Sequence, residues 1–354
     1  MSTTPLIDTD QHAAPSDFAE LAAYLPQYWQ RYAEEGAVRL SARQRGDYPD
    51  PDDDTGQGGA RTPARVDELP AMNLGEHGPP AAALLNCTVL FDFSRNARFE
   101  AAGARAVNTW MAETMLDRDP RLFGSAVLPT LNVKEAVSEI ERVAENPRFV
   151  QVLLPVRNEF RYGEPSFRPV LEAAAQAGLV VCLHAGGRTG LSASPTGYHG
   201  SFVEDMVVDQ HRAAQNQLVS IVSSGVLASV DGLRLTIAEC GFSWLAPLLW
   251  RLDKDWKSLW REVPWLDREP SQLVHDRVRF TLEPAHLPLD DSGLREAAAL
   301  CRAPSVLMYS SDHPHRYESA ARQLLGTLEN EDLDRVLGRN AVEHYRRLAV
   351  AGGA

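Results

Sequence analysis

Short apolar runs alternate with longer amphipathic segments along most of this chain. From residue 86 onward the runs recur about every 20 to 30 residues, which is typical of strand–helix units in a parallel sheet. We predict strands at residues 6–7, 87–93, 122–128, 149–156, 179–183, 233–238, 277–282 and 306–310. About eight such units, with no internal repeat, predict a single (β/α)8 TIM-barrel domain over residues 1–354.

Helices are predicted where apolar residues recur at helical spacing between these strands. The first covers 16–35 and contains Pro26, which is expected to break or kink it. The others are predicted at 95–116, 133–143, 167–177, 202–224, 242–260, 294–301, 317–328 and 331–347.

The segment after the first helix does not follow this alternation. Residues 46–63 are rich in Pro, Gly and Asp, a composition typical of a mobile loop. We therefore predict a loop or lid insertion over 36–85, between the first and second strands. A solvated insertion without a role at the site is the alternative.

The composition suits a large globular domain, since 44% of the 354 residues are hydrophobic and 23% are charged. The formal net charge of −13 argues against non-specific binding to nucleic acid or to an anionic membrane, because both require a basic surface. No apolar run approaches ~18 residues and no signal peptide is evident, so we expect a cytoplasmic protein. The cysteines lie in or beside apolar runs and are predicted to be buried free thiols: Cys87, Cys182, Cys240 and Cys301.

Five residues with metal-ligand chemistry follow predicted strands, namely Asp10, His12, His184, Glu239 and Asp312. The carboxyl ends of barrel strands converge on one mouth, so we expect these side chains to meet there. Three carboxylates placed together would repel one another unless a cation lay between them. The sequence therefore predicts a divalent metal site, and this ligand set favours Zn, Fe or Mn over Ca or Mg.

A second ion would need additional ligands. The excess of carboxylates over histidines favours iron as the metal. The candidates for further ligands are Glu204, Asp205, His211 and His313. His313 and His315 flank Pro314, and either could act as a ligand, as an acid or base, or as a group that supports a ligand. For each of these additional candidates, the alternative is a polar residue that only lines the pocket. The predicted catalytic residues are Asp312, Glu239 and His313.

These residues lie in segments that resemble the amidohydrolase-2-type superfamily of metal-dependent TIM barrels. The segments are DQH at 10–12, LHAGG at 183–187, ECGFSW at 239–244 and SSDHPH at 310–315. The resemblance extends over most of the chain. It departs from the hydrolases of that superfamily at Asp10 and often at Glu239, where those enzymes carry histidine. No lysine suited to a carbamylated bridge follows the fourth strand.

Two further stretches narrow the resemblance to a subgroup of TIM-barrel nonheme diiron monooxygenases. They are FVQVLLPVR at 149–157 and the region from WRLDK at 250–254 to EVPW at 262–265. The resemblance implies hydroxylation of an unactivated C–H bond in a bulky apolar acid or its coenzyme A thioester, as in diterpenoid natural-product biosynthesis. It implies two Fe ions, O2 and an external reductant. The predicted substrate-binding residues are Arg157, Arg188 and Trp244.

The alternative is a metal-dependent hydrolase or nonoxidative decarboxylase of the same superfamily, with one Zn or Mn ion. Asp312 or His313 would then act as the general base. The carboxylate-rich ligand set favours the monooxygenase over this alternative. A homo-oligomer also stays open, since the Trp-rich segment 244–265 suits an interface as well as a pocket.

Overall fold

The computed structural model describes residues 5–36, 63–69, 80–89, 95–187, 204, 207, 210–315 and 320–351. Most of the predicted loop at 46–63, and the segment 188–200 with Arg188, lie outside these ranges. The lid and the substrate-binding role of Arg188 therefore stay predictions.

Eight parallel strands form one sheet in which each strand pairs with its neighbours in sequence. The backbone N–H of Thr9 donates to Tyr309 O at 2.9 Å, and that of His12 donates to His313 O at 2.7 Å, which joins the first strand to the segment after the last. The predicted (β/α)8 barrel is confirmed. The strands are β1 (Ile7–His12), β2 (Ala82–Asn86), β3 (Leu122–Val127), β4 (Phe149–Arg157), β5 (Val180–Gly187), β6 (Leu235–Ala238), β7 (Val278–Thr281) and β8 (Leu307–Met308).

Apolar side chains occupy consecutive positions in these strands because both faces of the sheet are covered. All nine residues of β4 are buried, although its sequence includes Gln151. Ser125 in β3 and Thr236 in β6 are likewise buried polar residues. Buried polar groups need hydrogen-bond partners. Gln151 bonds to Ser125, Asn86 and Tyr345, and Thr236 bonds to Tyr345.

Helices connect the strands. The break predicted at Pro26 is observed, since one helix ends before it and the next begins directly after it. The helices are α1 (Phe18–Ala22), α2 (Gln27–Glu35), α3 (Ala97–Met111), α4 (Val133–Ala144), α5 (Arg168–Gln176), α6 (Gln210–Ser223), α7 (Val226–Ser229), α8 (Leu245–Leu259), α9 (Pro270–Arg277), α10 (Asp291–Leu300), α11 (Ala303–Val306), α12 (Ala320–Thr327), α13 (Asn330–Asp334), α14 (Asn340–His344) and α15 (Arg346–Ala351). π-Helical segments span Ala112–Leu116 and Arg335–Arg339, and 3-10 segments span Val66–Glu68 and Trp260–Glu262.

The last helices pack against the amino-terminal ends of the strands. Tyr345, between α14 and α15, is fully buried against residues that begin strands, such as Ile7 and Val180. We call this cluster the barrel floor. Its members are Ile7, Ala82, Leu84, Phe123, Val150, Val180, Met308, Ala341, Tyr345 and Leu348. The C-terminal segment therefore closes the end of the barrel opposite to the strand ends that carry the predicted ligands.

Two strand predictions need correction. The second strand is Ala82–Asn86 rather than 87–93, and the predicted insertion over 36–85 wrongly includes four of its five residues. Alanine is depleted in strands, so propensity favoured the residues after it, whereas burial on both faces decides inside a parallel barrel. The last strand, Leu307–Met308, is also shorter than the predicted 306–310.

The sequence also makes predictions about the cysteines and about membrane-spanning helices. All four cysteines are buried and free, as predicted. Burial raises the pKa of the Cys87 thiol to about 12, which keeps it protonated at neutral pH. Within the described ranges, no helix is long and apolar enough to cross a membrane.

Candidate metal centre

The five predicted ligands meet at the barrel mouth, the carboxyl end of the strands. Asp10 and His12 lie two apart in β1, so their side chains point to the same side of the strand. His184 lies in β5, Glu239 directly follows β6, and Asp312 follows β8. Parallel strands deliver their carboxyl ends to one rim, and this brings together residues separated by up to 302 positions.

Two overlapping sets of four side chains each place their ligand atoms close enough to share one cation. His12 Nε2 lies 2.6 Å from Glu239 Oε1 and 3.0 Å from Asp312 Oδ1. His184 Nε2 lies 3.0 Å from Glu239 Oε1 and 3.7 Å from Asp10 Oδ1. One metal-compatible group consists of Asp10, His12, His184 and Glu239, and another of His12, Glu239, Asp312 and His315, with the ligand atoms in each within 4.8 Å of one another.

Strained backbone presents two of the carboxylates. Glu239 has φ 57° and Asp312 has φ 53°, in the left-handed region that costs a non-glycine residue on the order of 1 kcal/mol or more. Each is held there by a hydrogen bond. The N–H of Glu239 donates to Thr281 Oγ1, and that of Asp312 donates to Asp10 O, both at 3.0 Å. Strain at two ligands of one cluster is typical of a functional site.

The electrostatics of the cluster couple imidazoles to carboxylates. Burial alone lowers the pKa of His12, but Glu239 and Asp312 outweigh burial and raise that pKa to about 10. The pKa of His184 is raised well above its usual value in the same way, mainly by Glu239. Burial raises the pKa of Glu239, yet His184 and His12 outweigh it and hold the pKa far below normal. Without a cation, the two imidazoles therefore carry the positive charge that these carboxylates need.

The residues present fit a divalent cation. Asp10 Oδ2 is buried and has no hydrogen-bond partner within the described part of the chain. A buried carboxylate oxygen without a donor is costly unless it binds something. His184 Nδ1 lies 2.7 Å from Ala185 O, and donation to that carbonyl turns Nε2 toward the cluster. Imidazole nitrogens and carboxylate oxygens together suit Zn, Mn or Fe.

The additional predicted ligands stay predictions, and Asp205 lies outside the described residues. Neither metal-compatible group includes Glu204, His211 or His313. Glu204 is exposed, and His211 places Nδ1 2.8 Å from Cys240 O with its ring edge against His286. The backbone of His313 pairs with β1, while its neighbour His315 places Nδ1 3.0 Å from Asp312 Oδ1. Of the two histidines flanking Pro314, the structure thus brings His315 into the cluster.

Two predicted substrate-binding residues lie close to the mouth. Arg157 ends β4 and is 6% exposed. Trp244 is half-buried, donates from Nε1 to Cys240 O at 2.9 Å, and packs edge-on against Phe280. The indole is therefore held against the segment that follows Glu239.

Sequence reasoning missed three residues around the centre. Asn86 ends β2 and donates from Nδ2 to Asp10 Oδ1 at 2.6 Å. Glu283 follows β7, and burial together with Asp312 raises its pKa to about 7. Burial and His211 lower the pKa of His286 to about 4. The rule that found the ligands, polar residues directly after strands, would have found Asn86 had β2 been placed correctly.

The chain belongs to the amidohydrolase family, whose sequence pattern matches residues 7–347. A search of curated protein sequences finds no match. The fold is shared with 5-carboxyvanillate decarboxylase from Sphingomonas paucimobilis, at 20% identity and TM-score 0.67 over 97% of this chain and 99% of the other. It is also shared with an amidohydrolase from Mycobacterium avium subsp. paratuberculosis, at 18% identity and TM-score 0.73 over 98% and 100% of the chains. A dihydroxybenzoic acid decarboxylase from Polaromonas sp., solved with manganese and the inhibitor 2-nitroresorcinol, matches at 16% identity and TM-score 0.65 over 97% of each chain.

These findings correct the predicted activity. The chain was expected to be an oxidoreductase, an O2-dependent diiron monooxygenase of diterpenoid biosynthesis. The similar structures are decarboxylases and amidohydrolases, so the monooxygenase prediction is wrong. The family match confirms the predicted membership of the amidohydrolase superfamily. The error has a physical origin, because a carboxylate-rich ligand set is compatible with several metals and reactions.

Proposed function

We propose that this protein is a metal-dependent, nonoxidative decarboxylase of a small aromatic carboxylic acid, with one Mn or Zn ion at the barrel mouth. The observation that carries the proposal is the cluster of two histidines and three carboxylates in an amidohydrolase barrel, in which every member is buried except the partly buried Glu239. Similar structures include decarboxylases of 5-carboxyvanillate, of 2,6-dihydroxybenzoate and of a dihydroxybenzoic acid. A 5-carboxyvanillate decarboxylase and the dihydroxybenzoic acid decarboxylase were solved with manganese. Two Fe, O2, a reductant and coenzyme A find no support among them.

Asp10, His12, His184 and Glu239 would hold the ion, with Asp312 beside it. A divalent cation supplies Lewis-acid polarisation of a substrate oxygen at such a site. The other requirements fall to the chain. Arg157, buried at the end of β4, would bind the substrate carboxylate, since a guanidinium matches the two oxygens of that group.

Decarboxylation also needs a proton donor close to the carbon that loses CO2. The carboxylate's C–C bond breaks, its electron pair stays on the ring carbon, and a proton forms the new C–H bond as CO2 leaves. Burial and Glu239 raise the pKa of Asp312, and His315 Nδ1 lies 3.0 Å from Asp312 Oδ1. We assign this pair as the proton store, because a proton shared between the two groups can be passed to the substrate.

The test is anaerobic turnover of hydroxybenzoates by protein stripped with chelator and reloaded with Mn²⁺ or Zn²⁺. We expect CO2 release and, in D2O, one deuterium at the carbon that carried the carboxylate. Asp312→Asn should abolish turnover, while Asp276→Asn, at a surface carboxylate paired with Arg268, should not. Absence of CO2 from the metal-loaded protein across the panel would refute the proposal, and two tightly bound irons per chain would contradict the single ion.

Hydrolysis of an amide or ester is the second candidate. The match to the amidohydrolase family and the similar mycobacterial amidohydrolase favour it. In that case Asp312 would accept a proton from water rather than deliver one to carbon. Product analysis separates the two reactions, because only decarboxylation releases CO2.

A further inference from the structure

A line of hydrogen bonds runs through the barrel interior from the floor to the candidate metal centre. Tyr345 Oη donates to Gln151 Oε1 at 2.9 Å. Gln151 Nε2 donates to Asn86 Oδ1 at 3.3 Å, and Asn86 Nδ2 donates to Asp10 Oδ1 at 2.6 Å. All four side chains are fully buried. The line therefore links the C-terminal helices to the first strand through the barrel interior.

The direction of each bond follows from the carboxylate at one end. A carboxylate of Asp10 only accepts, so Asn86 must turn Nδ2 toward it and Oδ1 toward Gln151. Gln151 then has to donate through Nε2 and accept through Oε1, which makes Tyr345 the donor. Every donor points toward the negative charge, so the bonds polarise one another in the same sense.

Side contacts hold each member of the line in place. Gln151 Nε2 also donates to Ser125 Oγ at 2.7 Å. Tyr345 Oη gives its only proton to Gln151 and therefore accepts from Thr236 Oγ1 at 3.0 Å. Thr236 Oγ1 in turn accepts from His344 Nε2 at 3.1 Å. Neither amide can flip without leaving buried donors and acceptors unpaired, which is costly.

We infer that Asn86, Gln151 and Tyr345 are positioning residues that hold the Asp10 carboxylate ready to bind a divalent cation. The inference rests on the metal site of the proposed function. Asn86 Nδ2 fixes Asp10 Oδ1, which lies 3.7 Å from His184 Nε2, and the buried Oδ2 lacks a hydrogen-bond partner in the described part of the chain, so it is left available to a cation. A ligand whose rotamer is already locked loses less conformational freedom when the metal binds.

A purely structural role makes a different prediction. If the line only satisfies buried polar groups, its loss would lower stability without changing metal affinity. Tyr345→Phe can be matched with Tyr162→Phe, since Tyr162 is also fully buried and its hydroxyl donates to Pro155 O at 2.8 Å outside the line. Asn86→Ala can be matched with Asn108→Ala, whose buried amide bonds to Val127 O and Glu139.

The experiment is calorimetric titration of the chelator-stripped, full-length variants with Mn²⁺, without substrate. We expect Asn86→Ala to weaken Mn²⁺ binding about 10- to 100-fold and Tyr345→Phe about 5-fold, as for other groups that orient metal ligands. The two control variants should bind within about twofold of the unchanged protein. Thermal unfolding with chelator present shows whether the members of each pair lose similar stability.

The double variant Asn86→Ala/Tyr345→Phe gives the sharper readout. Once Asn86 is absent, Tyr345 has no path to Asp10, so the second substitution should weaken Mn²⁺ binding by less than about twofold further. Equal affinities within each matched pair, or additive losses in the double variant, would overturn the inference, as would failure of the unchanged protein to bind Mn²⁺. If no CO2 were released, the decarboxylase proposal would fail, but the measured Mn²⁺ affinities would still test this inference because the titration uses no substrate.

Discussion

Two buried histidines at opposite ends of the barrel differ in the charge that they favour. His184 at the mouth is 1% exposed and His344 at the floor is 3% exposed, so burial lowers the pKa of both imidazoles. At the mouth Glu239 outweighs burial and raises the pKa of His184 well above normal. At the floor Arg279 adds to burial and holds the pKa of His344 far below normal.

The comparison shows that neighbours, and not depth, decide the ionisation of these side chains. The mouth gathers acidic groups around its imidazoles and is suited to replace protons by a cation. At the floor, the His344 imidazole contacts the Thr236 hydroxyl, and burial with the positive charges of Arg279 and Arg234 keeps it neutral. One barrel thus carries an ionic site at one end and a neutral, hydrogen-bonded support at the other.

Removing a carboxylate from the mouth should have the largest effect. We expect Glu239→Gln to weaken metal binding on the order of 100-fold, since Glu239 contacts both histidines of the cluster. The matched change at the other end is Glu343→Gln, because Glu343 is exposed and pairs with Arg335 near the floor. Metal content after dialysis against a competing chelator measures the effect. Full metal content in Glu239→Gln would exclude this residue as a ligand.

Removing the metal should destabilise the folded protein, because the ion bound at the barrel mouth stabilises only the folded state. A ligand present at 100 times its Kd stabilises the folded state by about 2.7 kcal/mol, so chelator should lower the unfolding temperature by that equivalent. The floor variant Thr236→Val should show the same metal-dependent increment. Calorimetric or fluorescence-monitored unfolding with Mn²⁺ or with chelator gives the comparison, and an unfolding temperature that ignores metal would count against the centre.

Thr236→Val should itself cost about 1 to 3 kcal/mol of unfolding free energy. The substitution keeps the shape of the side chain but leaves the His344 Nε2 donor and the Tyr345 hydroxyl without their buried partner. Urea unfolding at pH 7 measures this cost. The chelator-treated and metal-loaded forms should lose equal amounts, and a loss confined to the metal-loaded form would contradict the separation between floor and mouth.

The smallest effect is a pH dependence that arises at the floor. Because the folded state holds the pKa of His344 well below the ordinary value of 6.5, the unfolded chain takes up its proton first as the pH falls. This side chain therefore removes stability below pH 6.5, by up to about 1.4 kcal/mol per pH unit until the folded pKa is reached. Urea unfolding between pH 7.5 and 5.5 should show a smaller decline for His344→Gln than for the unchanged protein. If the unfolding free energies of the two proteins declined equally with pH, His344 would not be the source of this pH dependence.

The barrel and the approximate position of its candidate metal centre were predictable from the sequence. Apolar runs and amphipathic segments are local patterns, and a parallel barrel delivers the ends of its strands to one rim whatever the distance along the chain. Asp10, His12, His184, Glu239 and Asp312 could therefore be selected as a cluster before their separations were known. The activity could not be predicted in this way, because the ligand types are compatible with several ions and reactions.

The tertiary structure alone decided how these residues are supported. The sequence favoured His313 as ligand and catalytic residue, whereas in the structure the backbone of His313 pairs with β1 and it is His315 whose Nδ1 lies 3.0 Å from Asp312 Oδ1. Likewise no local pattern connects Tyr345 with Asp10, which lie at opposite ends of the chain. Their link depends on a hydrogen-bond path through the closed barrel, and such a path exists only once strands distant in sequence have been brought into register.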